Sequence, residues 1–149
     1  MKFEALVNLE RTKEPAWSSK VDRWYQLDEV SYAFCEALEQ WQNSEKLGPP
    51  DLVILALEGA SNLSDFDFVK SGGQSPAKFV YTLPNICISV IFQSLQHQGK
   101  VYCFHKGPET LKFALQEAQL LAKNHKSVWV LSSSPVLVDQ TRRVTLDIF

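Results

Sequence analysis

The six residues Leu52-Val53-Ile54-Leu55-Ala56-Leu57 are apolar at every position. Successive side chains of a strand point to opposite faces, so a strand with one wet face alternates. A short apolar run without alternation fits a strand buried on both faces, as in a parallel sheet. Such a strand needs helices above and below it. The expected architecture is therefore α/β, with a mainly parallel sheet flanked by helices.

The rest of the chain supports that reading. Residues 3–10 alternate loosely and read as a strand. From Asp28, a plausible N-cap, Val30, Ala33, Phe34, Ala37, Leu38 and Trp41 recur at helical spacing, and Gly48-Pro49-Pro50 ends the element. Residues 58–78 read as a Ser/Gly/Asp-rich loop ending in Ser71-Gly72-Gly73-Gln74-Ser75-Pro76. A second helix is predicted from about Pro84 to His97, with Pro84 in its first turn. Residues 100–104 form a short strand. Gly107-Pro108-Glu109-Thr110 then opens a long helix to about Asn124, whose buried stripe is Leu111, Ala114, Leu115, Ala118, Leu121 and Ala122. Residues 127–131 are a strand, and 144–149 a last one. Residues 11–27 and 136–143 receive no assignment. With no repeat and no internal boundary, residues 1–149 are expected to be a single domain.

Composition narrows the function classes. The chain has 149 residues, of which 45% are apolar and 21% charged, the balance of an ordinary globular protein. Fifteen basic against 17 acidic side chains, with no dense Lys/Arg run, leave no electrostatic footprint for nucleic acid. No stretch approaches 18 uninterrupted apolar residues, so no membrane span is expected. Glu4 stands where the apolar region of a secretion leader would begin, so secretion is not expected. Three cysteines without paired spacing point to a reducing, cytoplasmic compartment.

No phosphate-cradling glycine pattern, zinc-type cysteine pair, nucleophile elbow or metalloprotease helix is present. No cofactor and no metal are expected. Cys103 and His105 stand two apart, so on a strand they share a face. With His97 or His125 they are the one arrangement resembling a metal site, but no carboxylate or second cysteine is near. As a Cys–His nucleophile they would need a third group to orient the imidazole. Burial between Tyr102 and Phe104 would instead raise the thiol's pKa and make it inert. Cys35 and Cys87 fall within helical patterns and read as core. Ser132-Ser133-Ser134-Pro135 and Glu58-Gly59-Ala60-Ser61 follow strands, where ligand loops of α/β sheets sit, yet neither has a partnered base. The free N–H groups at Gly107 to Thr110 form a generic anion site, which Glu109 already complements.

The segment Ser75-Pro76-Ala77-Lys78-Phe79-Val80-Tyr81-Thr82-Leu83-Pro84-Asn85 resembles a signature of the β-ketoacyl synthase family. There a Ser-Pro-x-x-Phe run leads to an Asn that opens a helix. The order that follows is also similar: helix, small turn at Gln98-Gly99, strand, long helix, strand. The match is best over residues 50–135 and looks like the N-terminal half of a thiolase-type fold. The resemblance assigns Ser75, Pro76, Phe79 and Asn85 to the family loop. It also places Gly107 at about the position of the nucleophilic cysteine, with Pro108, Glu109 and Thr110 in the vacated acyl site. Glycine cannot attack a thioester, Cys103 falls about four residues early, and the histidines and lysine of the C-terminal half have no counterpart here.

The resemblance therefore implies a non-catalytic, ketoacyl-synthase-like accessory chain. Its setting would be fatty acid, polyketide or aryl-polyene-type biosynthesis, binding a synthase or an acyl carrier protein. An acidic carrier would meet Lys78, Lys100 and Lys106. Lys112, Gln116, Gln119 and Lys123 form a polar stripe on the long helix, which places that helix on the outside of a layer. The helix at 84–97 is apolar over most of its circumference. In the family this helix and the next strand lie at the dimer interface, so a homodimer, or a heterodimer with a ketoacyl synthase, is expected through residues 84–105, with Ile88, Ile91 and Phe92 as contacts. The alternative is burial of that helix against residues 28–42. Two other functions stay open: an acyl-thioester transferase using Cys103 and His105, and a structural homodimer.

Overall fold

Residues 52–57 do form a strand, and all six of its side chains are buried. A computed structural model describes residues 1–59, 62–81, 83, 85–135 and 139–149. Strand β1 is Lys2–Asn8, helix α1 Glu29–Ser44 and strand β2 Leu52–Leu57. Helices α2 (Asn62–Lys70), α3 (Pro76–Val80) and α4 (Ile86–Leu95) follow. Strand β3 (Lys100–Phe104), helix α5 (Thr110–Leu121) and strands β4 (Val128–Ser133) and β5 (Thr141–Ile148) complete the order.

The five strands make one sheet in the order β1-β5-β4-β2-β3. β2 pairs in parallel with β3 and β4, whereas β5 runs antiparallel to both β4 and β1. The sheet is thus mixed: β1, β2, β3 and β4 run in one direction and β5 alone runs against them. The reason is length: the seven residues between β4 and β5 are too few for a crossover, which takes a dozen or more. β3 is an edge strand, with Tyr102 exposed.

Each face of the sheet has its own core. Val53, Leu55, Leu57, Trp129, Leu131, Val144 and Leu146 pack with α1 and α4. Leu52, Ile54, Ala56, Val128 and Val130 pack against Ala114 and Ala118 of α5. α1 starts where Asp28 accepts hydrogen bonds from the backbone N–H groups of Val30 (3.0 Å) and Ser31 (3.2 Å), as its N-cap position requires. The polar stripe of α5 is exposed at Lys112, Gln116, Gln119 and Lys123, so that helix does form an outer layer.

Two expectations need correction. Residues 58–78 are not one loop, because α2 and the start of α3 lie within them. The Ser75-Pro76 pair is a helix start: the Ser75 hydroxyl accepts from Lys78 N–H at 3.3 Å, and Pro76 stands at the first helical position. α4 lays Cys87, Val90, Ile91 and Ser94 against α1, which is the alternative burial weighed above. Residues 11–27, left unassigned, hold two 3₁₀ turns, at Ser18–Lys20 and Trp24–Gln26. The expectations placed on Ala60, Ser61, Thr82 and Pro84, and on residues 136–138 of the unassigned stretch, lie outside the described residues. Among the described residues no helix is long and apolar enough to cross a membrane.

Candidate functional site

The C-terminal ends of β2, β3 and β4 lie at one end of the sheet, because the three strands are parallel. Ligand sites of α/β folds sit at such an end. Glu58 follows β2, His105 and Lys106 follow β3, and Ser134 follows β4. His105 Nδ1 lies 2.7 Å from the Leu57 carbonyl oxygen. A carbonyl only accepts, so this bond requires a proton on Nδ1 and leaves Nε2 free of it.

The entrance to α5 is held by Thr110, which is fully buried. Its hydroxyl accepts from Lys106 N–H at 2.7 Å and donates to the Gly107 carbonyl at 2.7 Å. Gly107 itself has φ +64°, the left-handed region where only glycine is unstrained, and a Cβ there would meet open space. Pro108 and Glu109 are exposed, with Glu109 3.9 Å from Lys112. The Lys106 ammonium lies 4.9 Å from the Phe113 ring centroid.

Two clefts open at this end. The smaller, about 190 Å³, is lined by Glu58, Leu111, Ser132, Ser134, Arg143 and Thr145. The buried hydroxyls of Ser132 and Thr145 bond to each other at 2.6 Å across β4 and β5. The larger cleft, about 570 Å³, separates α2 and α3 from the body and is lined by Arg11, Glu29, Ser64, Ser75, Lys78 and Tyr81, among others. Behind it lies a buried charge pair that the sequence reading did not find. Arg142 and Glu29 are almost completely shielded from solvent, with Nη1 and Oε1 3.5 Å apart. The Glu29 carboxylate also accepts from Leu63 N–H (2.8 Å), Ser64 N–H (3.2 Å) and the Ser64 hydroxyl (2.7 Å), tying the start of α2 to α1. Arg142 Nε donates to the Ser133 hydroxyl. Burial lowers the Arg142 pKa, and the neighbouring Glu29 and Asp28 oppose that shift. A signal existed: Arg142 shares strand parity with Val144 and Leu146, both fully buried.

The candidate residues do not converge on one cavity. Ser75 and Lys78 line the larger cleft, whereas Gly107 to Thr110 line neither. Phe79 is half exposed, its ring 5.7 Å from that of Phe68. Asn85 stands before α4, exposed and without capping it through its side chain. Lys78, Lys100 and Lys106 are exposed and Ile88 is half-buried. Ile91, counted above among the partner contacts, is wholly interior, and Phe92 stacks on His97 with ring centroids 5.7 Å apart. Cys103 faces the α1 side of β3, where burial pushes its thiol pKa up. Burial does the same to Cys35, to about 12, and to Cys87, well above the ordinary thiol range. None of these thiols is in the low-pKa state of a nucleophile. Among the described residues no three His, Cys, Asp or Glu side chains gather to hold a metal.

No family model matches the chain, and no curated protein sequence does. Solved structures do. One is the complex of a ketosynthase, ApeO, with its chain length factor, ApeC, from Xenorhabdus doucetiae. The similarity extends over 93% of this chain and 62% of that one, with TM-score 0.68 and 12% identity. The fold is ketosynthase-like. The ishigamide ketosynthase/chain length factor is similar too, over 95% of this chain and 47% of that one, with TM-score 0.60 and 13% identity. The chain thus spans less than two thirds of the length of either. Its five-stranded mixed sheet between helical layers is half of a thiolase-like arrangement.

Proposed function

We propose that this chain is a ketosynthase-like accessory chain that performs no condensation itself and pairs with a ketosynthase-type partner in polyketide, fatty acid or aryl-polyene-type assembly. The observation that carries this reading is the entrance to α5. In the family that place holds the nucleophilic thiol; here it is Gly107, in a backbone conformation suited to glycine. Condensation needs a covalent acyl carrier residue and groups that stabilise the developing charge. Cys103 faces the other side of the sheet with a raised pKa, and the His105 Nδ1 position is taken by the Leu57 carbonyl. The similarity to two structures of ketosynthases with chain length factors supports pairing with such a partner.

The mechanism is binding. The small hydroxyl-lined cleft and the α5 entrance would bound an acyl pocket shared with the partner. Lys78, Lys100 and Lys106 are available to an acidic carrier protein, and the half-buried Ile88 and Phe92 with the open edge of β3 to the partner chain. The test is reconstitution with ketosynthase-type chains from the same genome. The expected result is a stable complex whose product length or yield depends on this chain, with no acyl label on its cysteines. Covalent acylation of Cys103 at neutral pH from an acyl thioester would instead favour a transferase. Absence of any complex would leave a structural homodimer.

A further inference from the structure

Arg11 is a half-buried cation whose hydrogen bonds, among the described residues, go to neutral groups. Its Nη1 donates to the Tyr25 carbonyl at 3.0 Å and its Nη2 to the Leu27 carbonyl. The guanidinium carbon lies 4.6 Å from the centroid of the Tyr32 ring. These contacts fix the guanidinium in place without neutralising its charge. Burial lowers the Arg11 pKa, against the pull of Tyr32, Asp28 and Glu29. Both of those carboxylates are bonded elsewhere: Asp28 caps α1, and Glu29 holds Arg142 and the start of α2. A guanidinium carries five N–H donors in a planar fork, so Arg11 has donors beyond the two used here.

Arg11 lines the larger cleft, between the body of the fold and α2 and α3. At about 570 Å³ the cleft has the size of a small-molecule site. Leu9, Leu27 and Leu63 give it apolar surface, Lys78 a second cation and Asp67 a carboxylate on the α2 side. With Glu29 bonded to Arg142, the other charged lining residues are two cations, Arg11 and Lys78, and one anion, Asp67. That balance suits a ligand with one negative charge, and Asp67 counts against a dianion. The planar fork of Arg11 matches a carboxylate, and the three leucines match an apolar body.

We propose that this cleft binds a small organic acid, its carboxylate on Arg11 and its apolar body along Leu9, Leu27 and Leu63. The two backbone carbonyls orient Arg11 before the ligand arrives, so little freedom is lost on binding. The site is separate from the hydroxyl-lined cleft and the α5 entrance, and it does not depend on pairing with a ketosynthase.

The test titrates the purified full chain by calorimetry with sodium octanoate, octan-1-ol, octylammonium chloride and sodium acetate. Octanoate should bind with a Kd below about 1 mM. The alcohol and the ammonium, which lack the negative head, and acetate, which lacks the apolar body, should bind at least ~10-fold more weakly. Arg11→Gln should weaken octanoate ~30-fold. At the exposed positions, Lys78→Gln should weaken it about threefold and Asp67→Asn tighten it about twofold. Thermal melting shows which variants keep the fold; if Arg11→Gln loses it, the head-group series on the unaltered chain decides. Octan-1-ol binding as tightly as octanoate overturns the assignment of the head group. Octanoate binding that survives Arg11→Gln in a folded variant overturns the site, and so does failure of the unaltered chain to bind octanoate.

Discussion

The two faces of the sheet are built differently. The α1 face is covered by two helices and by Trp17, Val21 and Leu27 of the 9–27 connection, and it holds Trp129, Phe34 and Trp41. The α5 face is covered by one helix, whose contacts include the small side chains Ala114 and Ala118. Beyond α5, the same face of β1 and β5 is exposed at Glu4, Leu6 and Arg143, with Glu4 and Arg143 3.2 Å apart. The buried ion pair Glu29–Arg142, all three thiols and Tyr32 belong to the α1 side. The entrance to α5 belongs to the lightly covered side. The heavy core thus positions the strands, and the light one leaves their ends accessible.

The largest test of this contrast is the ion pair. Arg142→Ala leaves the Glu29 carboxylate buried without its guanidinium and should cost about 3–5 kcal/mol in denaturant unfolding. The double variant Glu29→Gln/Arg142→Met should recover most of that loss. A single-variant cost under about 1 kcal/mol would mean the pair is hydrated and the α1 face is less sealed than described.

Alkaline titration comes next. Cys35 rises from 9.0 to about 12 on folding and Tyr32 from 10.0 to about 12. A raised folded pKa means the unfolded chain loses its proton first. Stability is then intact below pH 9 and falls as pH rises toward 12, by up to about 1.4 kcal/mol per pH unit for the thiol. Urea midpoints between pH 8 and 11 should show this decline, and Cys35→Ala should make it shallower, with Cys87, Cys103 and Tyr32 carrying the remainder. A decline of unchanged slope in Cys35→Ala would place the sensitive groups elsewhere.

Leu55 and Leu52 lie on the same strand, both fully buried, on opposite faces. Leu55→Ala opens a void between rigid neighbours and should cost about 4–5 kcal/mol, whereas Leu52→Ala lets a single helix settle and should cost about 2–3. Equal costs would erase the difference between the faces. Smallest of all, Lys112→Ala and Gln116→Ala on the outer stripe of α5 should stay within about 0.5 kcal/mol of the unaltered protein. A larger loss would show that this stripe is covered.

The same contrast explains what could be read from the sequence. β2 is buried at every position because both faces are covered, and its unbroken apolar run announced it, whereas β4 continues through the buried Ser132 and Ser133 that the sequence placed after it. α1 and α5 each bury one side and expose the other, so period and caps located them. α2 was missed because its apolar residues point both inward and outward, which erases the helical stripe. The mixed pairing of β5 was missed because period alone does not give strand direction. At the site, the glycine at the mouth of α5 was legible. The Glu29–Arg142 pair was not, since two charges 113 positions apart declare their partnership only once strand parity places one of them inside.

The left-handed backbone at Gly107 also limits which residues this turn can hold. A thiol introduced there would find empty space around it, but its Cβ would oppose the existing backbone by roughly 1–2 kcal/mol. A side chain at this position therefore takes more than one codon to accommodate: the turn would have to be rebuilt together with it.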